Sequence, residues 1–305
     1  VKIKKNTRLT VYDILITLDM FGTLYYIPNL KTMPPIGKCP TFSYHGSKCT
    51  IAKWIIDQIP KNKSYDYFID LFGGRGNVTF RLLTTPGFIF NHFIINDPYT
   101  SEWFNTLIKY NGNFDFVPDI VNYDVYDTWK NAEPSVERIL IEPIVCYHGN
   151  RFNIQGSAIN DPENTTQYYS TNYKKNWTRK LQLAQSLLRN NKVKITNLDW
   201  KNALETLPIS PQTFIYCDPP YFEKYNEKKT YPSINHDEFL DIISKTPAIC
   251  AVSNYYNELY DSKLVGWLKN SKTRVSLSKG RQLGHANGRT EKIEYLWKNY
   301  DSTMS

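Results

Sequence analysis

The strongest constraint in this chain is a short apolar run that ends in a rigid polar loop. Thr213-Phe214-Ile215-Tyr216-Cys217 is aromatic and β-branched, with Pro211 just upstream, and reads as a buried strand. Asp218-Pro219-Pro220-Tyr221 follows it directly. Open α/β sheets bind ligands beyond the carboxyl ends of their strands, and this loop sits there. Two prolines fix two φ angles and remove two backbone donors, so the neighbouring carbonyls stay free on a stiff loop. Asp218 adds a charged acceptor and Tyr221 a flat face. Acceptors beside a stacking ring suit a planar heterocycle with an exocyclic amino group, whose two N–H bonds need partners. The plainer reading is a Pro-rich turn capped by an aspartate.

Other apolar runs end in the same way. Tyr67-Phe68-Ile69-Asp70 runs into Leu71-Phe72-Gly73-Gly74-Arg75-Gly76, and a helix is expected from Asn77 to Leu83. Glycines there permit positive φ and close backbone approach to a ligand. Neither dinucleotide-fold spacing nor a phosphate-binding Lys-Ser/Thr completes the pattern, because Thr79 stands where a third glycine would fall. Phe93 to Asp97 forms the next strand, with Asp97 placed to accept from ribose hydroxyls or else to cap the following helix. Val193 to Trp200 forms another, ending near Asp199, which is either an adenine ligand or a turn aspartate. Upstream, Tyr44-His45-Gly46-Ser47-Lys48 precedes an amphipathic helix through Ile51, Trp54, Ile55 and Ile59, with Ser47 or Thr50 as its cap. A cation at Lys48 opposes the helix dipole and is better explained by an anion facing it.

The tetrapeptide 218–221 resembles the catalytic motif of amino-methyltransferases that use S-adenosylmethionine. Its Asp form is similar to that of Dam-type DNA adenine-N6 methyltransferases. Asp70, Phe72, Gly74 and Gly76 resemble the cofactor loop of class I methyltransferases. Tyr44 to Lys48 resembles the segment that opens the Dam-type cofactor site, with Ser47 in place of the usual second glycine. The resemblance covers residues 42 to about 300 and implies an α/β fold: a Rossmann-like mixed sheet with an inserted, mainly helical target-recognition domain. It implies a catalytic domain in 37–100 and 190–305, a recognition region in 101–189, and an unassigned extension in 1–36. S-adenosylmethionine would be held by Tyr44, Lys48, Asp70, Phe72, Gly74, Gly76, Asp97, Asp199 and Asp218, leaving S-adenosylhomocysteine as product. Asp218, Pro219, Pro220 and Tyr221 would act on a flipped adenine of double-stranded DNA in a specific sequence, as restriction-modification enzymes do.

Charge agrees with such a partner without requiring it: the net charge is +8. Aromatics reach 15%, which offers stacking faces as well as core. Within the insertion, cations and rings interleave from Tyr168 to Lys180. Asn150, Arg151, Asn153, Lys174, Lys175 and Arg179 are the expected DNA contacts there. Lys279, Arg281 and Arg289 are expected to contribute from a basic C-terminal hairpin loop. A solvated helix face is the plainer account of any one of them. Helix 177–188 is expected to turn Leu181, Ala184, Leu187 and Leu188 inward, and the polar stretch after Tyr221 to form a loop that closes over substrate.

The five cysteines include no C-x-x-C pair, so neither zinc nor a disulfide framework is expected, and a reducing cytoplasmic or nucleoid compartment fits. Residues 10–30 are too interrupted by Asp13, Asp19 and Pro28 to span a membrane, and no signal peptide is expected. Four other readings stay open: an RNA adenine methyltransferase, a protein amide methyltransferase (which usually carries Asn at position 218), a non-catalytic DNA-binding subunit, and a nicotinamide dehydrogenase. The last leaves 218–221 unexplained.

Overall fold

The computed structural model describes residues 39–44, 46–61, 63–146, 152, 173–221, 233–277 and 289–302, with the backbone alone for 17–18, 24–25, 275–277 and 289–290. The chain divides into two compact units, 1–38 and 39–305. In the first, β1 (Thr17–Leu18) and β2 (Leu24–Tyr25) pair antiparallel within the extension that the sequence left unassigned.

The second unit is built on a seven-stranded sheet. Its strands are β3 (Ser64–Asp70), β4 (Ile89–Asn96), β5 (Lys194–Thr196), β6 (Thr213–Cys217), β7 (Ile249–Asn254), β8 (Leu268–Leu277) and β9 (Arg289–Lys298). They lie in the order β5-β4-β3-β6-β7-β9-β8. The pairings from β5 through β7 are parallel, whereas β9 runs antiparallel to both β7 and β8. This is the mixed Rossmann-like sheet that the sequence implied. β3 and β6 are the central strands, and β6 is buried at every position, as a strand covered on both faces must be.

Alternate residues face opposite ways along a strand, and each face has its own core. Phe214 and Tyr216, with Phe68, Ala251 and Leu296, pack under α1 (Ala52–Ile56) and α2 (Asn77–Leu83). Ile215 and Cys217, with Ile69, Cys250, Val252 and Trp297, pack under α7 (Trp200–Thr206), α8 (His236–Ile243) and α9 (Glu258–Lys263).

The expected helical insertion contains α3 (Ser101–Lys109), α4 (Tyr123–Asn131), α5 (Val136–Val145) and α6 (Tyr173–Asn190). These helices share one cluster with Phe42, Phe80 and Ile95. The residues expected to face inward on α6 are its buried ones. The last carbonyls of α3 lack intrahelical donors. Gln185 of α6 donates to the carbonyls of Leu107 and Tyr110 at 2.6 and 2.7 Å, and Arg189 to those of Ile108 and Tyr110 at 2.7 and 2.8 Å.

Phe42 ties this cluster to the site. It is fully buried, with its ring centroid 5.0 Å from Trp103, 5.9 Å from Phe80 and 6.0 Å from Trp177. Replacing Phe42 by Ala removes a side chain that packs on α2, α3 and α6 together. Urea unfolding should show a loss of about 3–5 kcal/mol; a loss under about 1 kcal/mol would mean that the helices hold together without it.

Candidate active site

Three parallel strands deliver their carboxyl ends to one edge. β3 ends at Asp70, and the Leu71 N–H donates across to Tyr216 O at 2.9 Å. The glycine turn is held from β4: Gly73 N donates to Asn96 O at 2.9 Å and Gly74 N to Asp97 Oδ2 at 2.9 Å. Asn96 is 1% exposed and uses its whole amide. Its Nδ2 donates to the carbonyls of Leu71 and Leu198, both at 3.0 Å, while its Oδ1 accepts from Leu198 N at 3.0 Å and Thr196 Oγ1 at 2.8 Å. One buried amide thus fixes the loops after β3 and β5 together. Gly74 has φ +52°, and a Cβ there would lie 2.9 Å from the Tyr44 ring. That position needs glycine for both reasons.

A second buried amide places the segment 42–48. Asn77 Oδ1 accepts from Phe42 N at 3.0 Å, and its Nδ2 donates to Phe42 O at 2.8 Å and Ser47 Oγ at 2.9 Å. The segment is thereby laid beside the glycine turn. The expected side-chain cap of α1 is not formed. Its N-cap residue is Ile51, and Ser47 is engaged with Asn77 instead, accepting also from Cys49 N at 3.3 Å.

Lys48 lies only 3% exposed and meets two carboxylates. Its Nζ donates to Asp218 Oδ1 and Oδ2 at 2.6 and 2.7 Å, to the Tyr221 hydroxyl at 2.5 Å and to Gly46 O at 3.2 Å. Glu294 Oε1 stands 3.6 Å away. Ser253 Oγ donates to Asp218 Oδ1 at 3.2 Å, and Tyr221 donates to both oxygens of Glu294 at 2.9 and 3.0 Å. The Tyr221 ring packs on Tyr255 with centroids 4.4 Å apart.

Burial would lower the Lys48 ammonium, but the charges of Asp218 and Glu294 outweigh it and hold the group above its ordinary value. Burial pushes the Asp218 carboxyl up to about 6, with Lys48 pulling it down and Glu294 pushing it up. Burial also raises Asp70 to about 7, moderated by the hydroxyl of Thr79, which donates to its Oδ2 at 2.7 Å. Asp97 is raised by burial against three backbone N–H donors.

A cavity of about 440 Å³ opens along this edge, within the range of small-molecule sites. It is lined by Tyr44, Lys48, Asp70, Phe72, Gly74, Asp97, Asp199 and all of 218–221. The residues predicted for catalysis and for the cofactor therefore converge, with one exception. Gly76 lies outside the lining; with φ +70° it is the N-cap residue of α2, and a Cβ there would meet Phe104 at 3.0 Å.

The profile of the D12 class N6 adenine-specific DNA methyltransferases matches residues 44–299, most of the chain. The chain belongs to this family. Its reaction is therefore methyl transfer from S-adenosylmethionine to adenine N6 of DNA. No match is found among curated protein sequences. Among solved structures, the chain is similar to a precorrin-8W decarboxylase of Methanobacterium thermoautotrophicum, at 12% identity over 82% of this chain and 88% of that one, with a TM-score of 0.33. It is similar to a precorrin-6y C5,15-methyltransferase of Geobacter metallireducens, at 7% identity over 82% and 87%, TM-score 0.33. It is also similar to a putative RNA methyltransferase of Pyrococcus horikoshii, at 10% identity over 86% of each chain, TM-score 0.33.

Several residues of this methyltransferase have structural partners beside or instead of a ligand. Asp97 serves the backbone as well as the cavity: its Oδ1 accepts from Tyr99 and Thr100 N–H at 2.8 and 2.9 Å. Asp199 lines the cavity and also N-caps α7, accepting from Lys201 and Asn202 N–H at 3.1 Å each. Lys48 finds its anion within the protein. Glu294, Ser253, Tyr255, Asn77 and Asn96 carried no local sequence signal, since each acts through a partner distant in sequence. His236 is a packing residue, with Nδ1 2.8 Å from the Tyr260 hydroxyl and its pKa lowered by burial to about 4. Cys217 is buried, with its sulfur 4.0 Å from that of Cys250.

Of the expected DNA contacts, Lys175 and Arg179 are exposed on α6 and Lys174 is half-buried. Lys180 leans over the Trp177 ring at 4.0 Å. Asn150, Arg151, Asn153, Lys279 and Arg281 lie outside the described residues, as does the loop expected at 222–232, and only the backbone of Arg289 is described. Among the described residues no helix is long and apolar enough to cross a membrane.

The raised Asp70 carboxyl makes stability depend on pH. The folded protein binds this proton more tightly than the unfolded chain, whose ordinary value is 3.8. The favourable contribution is complete below that value and is lost as pH rises through about 7. Asp70→Asn should therefore gain stability over the native enzyme progressively across that window, read as urea midpoints. A difference that stays constant with pH would place the Asp70 proton elsewhere.

Proposed function

We propose that Asp218 and the Pro219 carbonyl accept the two N6 hydrogens of an adenine extruded from duplex DNA. The observation that carries this is the position of Asp218 at the mouth of β6, where it lines the cavity with its carboxylate held by Lys48 and Ser253. Lys48 bridges the two carboxylate oxygens and Ser253 takes one further lone pair on Oδ1, which leaves an acceptor direction on Oδ2. The amino group is inaccessible within the stack, so flipping is required. Accepting its hydrogens raises electron density on nitrogen and orients the lone pair, which is positioning and electrostatics rather than covalent catalysis. Tyr221 offers the stacking face, and Pro219 and Pro220 keep its backbone stiff.

The cavity fits S-adenosylmethionine by size and by its acceptors. When bound, this cofactor supplies an electrophilic methyl group on a sulfonium. Tyr44, Phe72 and the Gly74 cradle would hold its body, Asp97 its ribose hydroxyls and Asp199 its adenine amino group, with Asp70 shaping the floor and Gly76 the turn behind. Lys48, engaged by Asp218, is assigned to the aspartate and not to the cofactor's carboxylate.

The region 101–189 is assigned to target recognition, with Asn150, Arg151, Asn153, Lys174, Lys175 and Arg179 facing duplex DNA, and Lys279, Arg281 and Arg289 adding phosphate contacts from the hairpin. Residues 37–100 and 190–305 form the catalytic part. A cytoplasmic or nucleoid setting suits free cysteines and a DNA substrate.

The test is transfer of labelled methyl from S-adenosylmethionine to unmethylated duplex DNA, with the modified base identified. Label is expected on adenine N6, and Asp218→Ala should cut kcat by at least about 100-fold while DNA binding persists. Turnover retained in that variant, or label on another base, would remove Asp218 from the reaction.

A further inference from the structure

Glu294 is fully buried on β9, yet it lies at the same edge as Asp218. Its oxygens accept from the Tyr221 hydroxyl at 2.9 and 3.0 Å, lie 3.6 Å from Lys48 Nζ and 3.5 Å from Arg274 Nη1. Lys48 in turn donates to the Tyr221 hydroxyl at 2.5 Å and to both oxygens of Asp218. One ammonium is thus shared between two carboxylates, and the phenol bridges it to the second. A buried carboxylate without partners is costly, so this arrangement is held tightly.

We propose that Glu294 is a positioning residue for methyl transfer: by accepting from the Tyr221 hydroxyl and setting a second negative charge beside Lys48, it fixes the Tyr221 ring and shares the ammonium that would otherwise be balanced by Asp218 alone. The inference rests on the reading of Asp218 as the amino-group acceptor. Without the second carboxylate, Lys48 belongs to Asp218 alone. The ammonium that bridges both oxygens of Asp218 is then balanced by that aspartate only. Tyr221 loses a charged acceptor at the same time.

Among the described residues, the charges beside Asp218 are Lys48 before α1, Asp70 from β3 and Glu294 from β9, with Arg274 of β8 reaching Glu294. Burial also pushes up Tyr216, Cys217, Tyr221 and Tyr260. Exchanging Lys48 or Glu294 therefore changes a charge beside Asp218 while its burial stays in place.

Glu294→Gln keeps the size and the hydrogen-bonding oxygen while removing the charge. Its kcat should fall by about 100-fold, as for a misplacement near 1 Å, with KM for DNA and cofactor little changed. Loss of the repelling charge should also move the acid limb of the pH–rate profile to lower pH. Lys48→Met should move it the other way. Glu294→Asp, which retains the charge, should keep the limb where the native enzyme has it. The carboxyl 13C shift of Asp218, titrated in the unliganded protein, should follow the same directions and needs no turnover. A Glu294→Gln enzyme whose profile is scaled without displacement, and whose Asp218 titration matches the native one, overturns the proposal. Turnover by Asp218→Ala would instead overturn the reading of Asp218, and the titration tells the two failures apart.

Discussion

Three charged side chains meet out of water at the edge of this sheet, and much of the rest serves to bring them there. Asp218, Lys48 and Glu294 each carry a desolvation cost that no single pairing offsets. The cation at the centre repays it twice. Its position is set by Asn77, which clamps 42–47 beside the glycine turn, and its partners by the ends of β6 and β9. A carboxylate kept ionised and oriented in a dry place is what an amino group needs as an acceptor. The structural and chemical demands coincide at these side chains.

Strand direction explains why Glu294 belongs to the site. The parallel strands send their carboxyl ends to one edge, where α/β sheets bind ligands. β9 runs the other way, and Glu294 directly precedes Tyr295, the partner of the last residue of β7, so it reaches the edge that the parallel strands reach with their last residues. Its neighbour on β8, in register with Glu294, is Lys272, and Arg274 approaches Glu294 from two residues further along. An antiparallel hairpin at the end of a parallel sheet thus supplies side chains that the parallel strands cannot.

Local pattern made much of the fold legible in the sequence. The five residues before Asp218 were apolar without alternation, as a doubly covered strand must be, and β6 spans those residues. The glycines of 73–76 marked the turn, Asn77–Leu83 the helix, and the spacing of Leu181, Ala184, Leu187 and Leu188 the buried face of α6. The carboxyl-end positions of Asp70, Asp97 and Asp218 followed from the same strands. Partnerships between distant residues were not legible. A lysine near a helix start asks for an anion, but nothing local says that the anion is Asp218. Asn77 and Asn96 look like ordinary polar residues until their amides are seen satisfied on both sides. Ser47 resembled a cap because a serine before a helix usually is one, and its hydroxyl was taken by Asn77.

Order along the chain has a consequence for how such a cluster can be made. Lys48 is synthesised well before Asp218, and Arg274 before Glu294. Each carboxylate thus emerges from the ribosome after a cation that can neutralise it. Within this cluster, no acid waits for a counter-charge that has yet to be translated. A chain with the same contacts in the reverse order would have to shelter bare carboxylates in its half-made core.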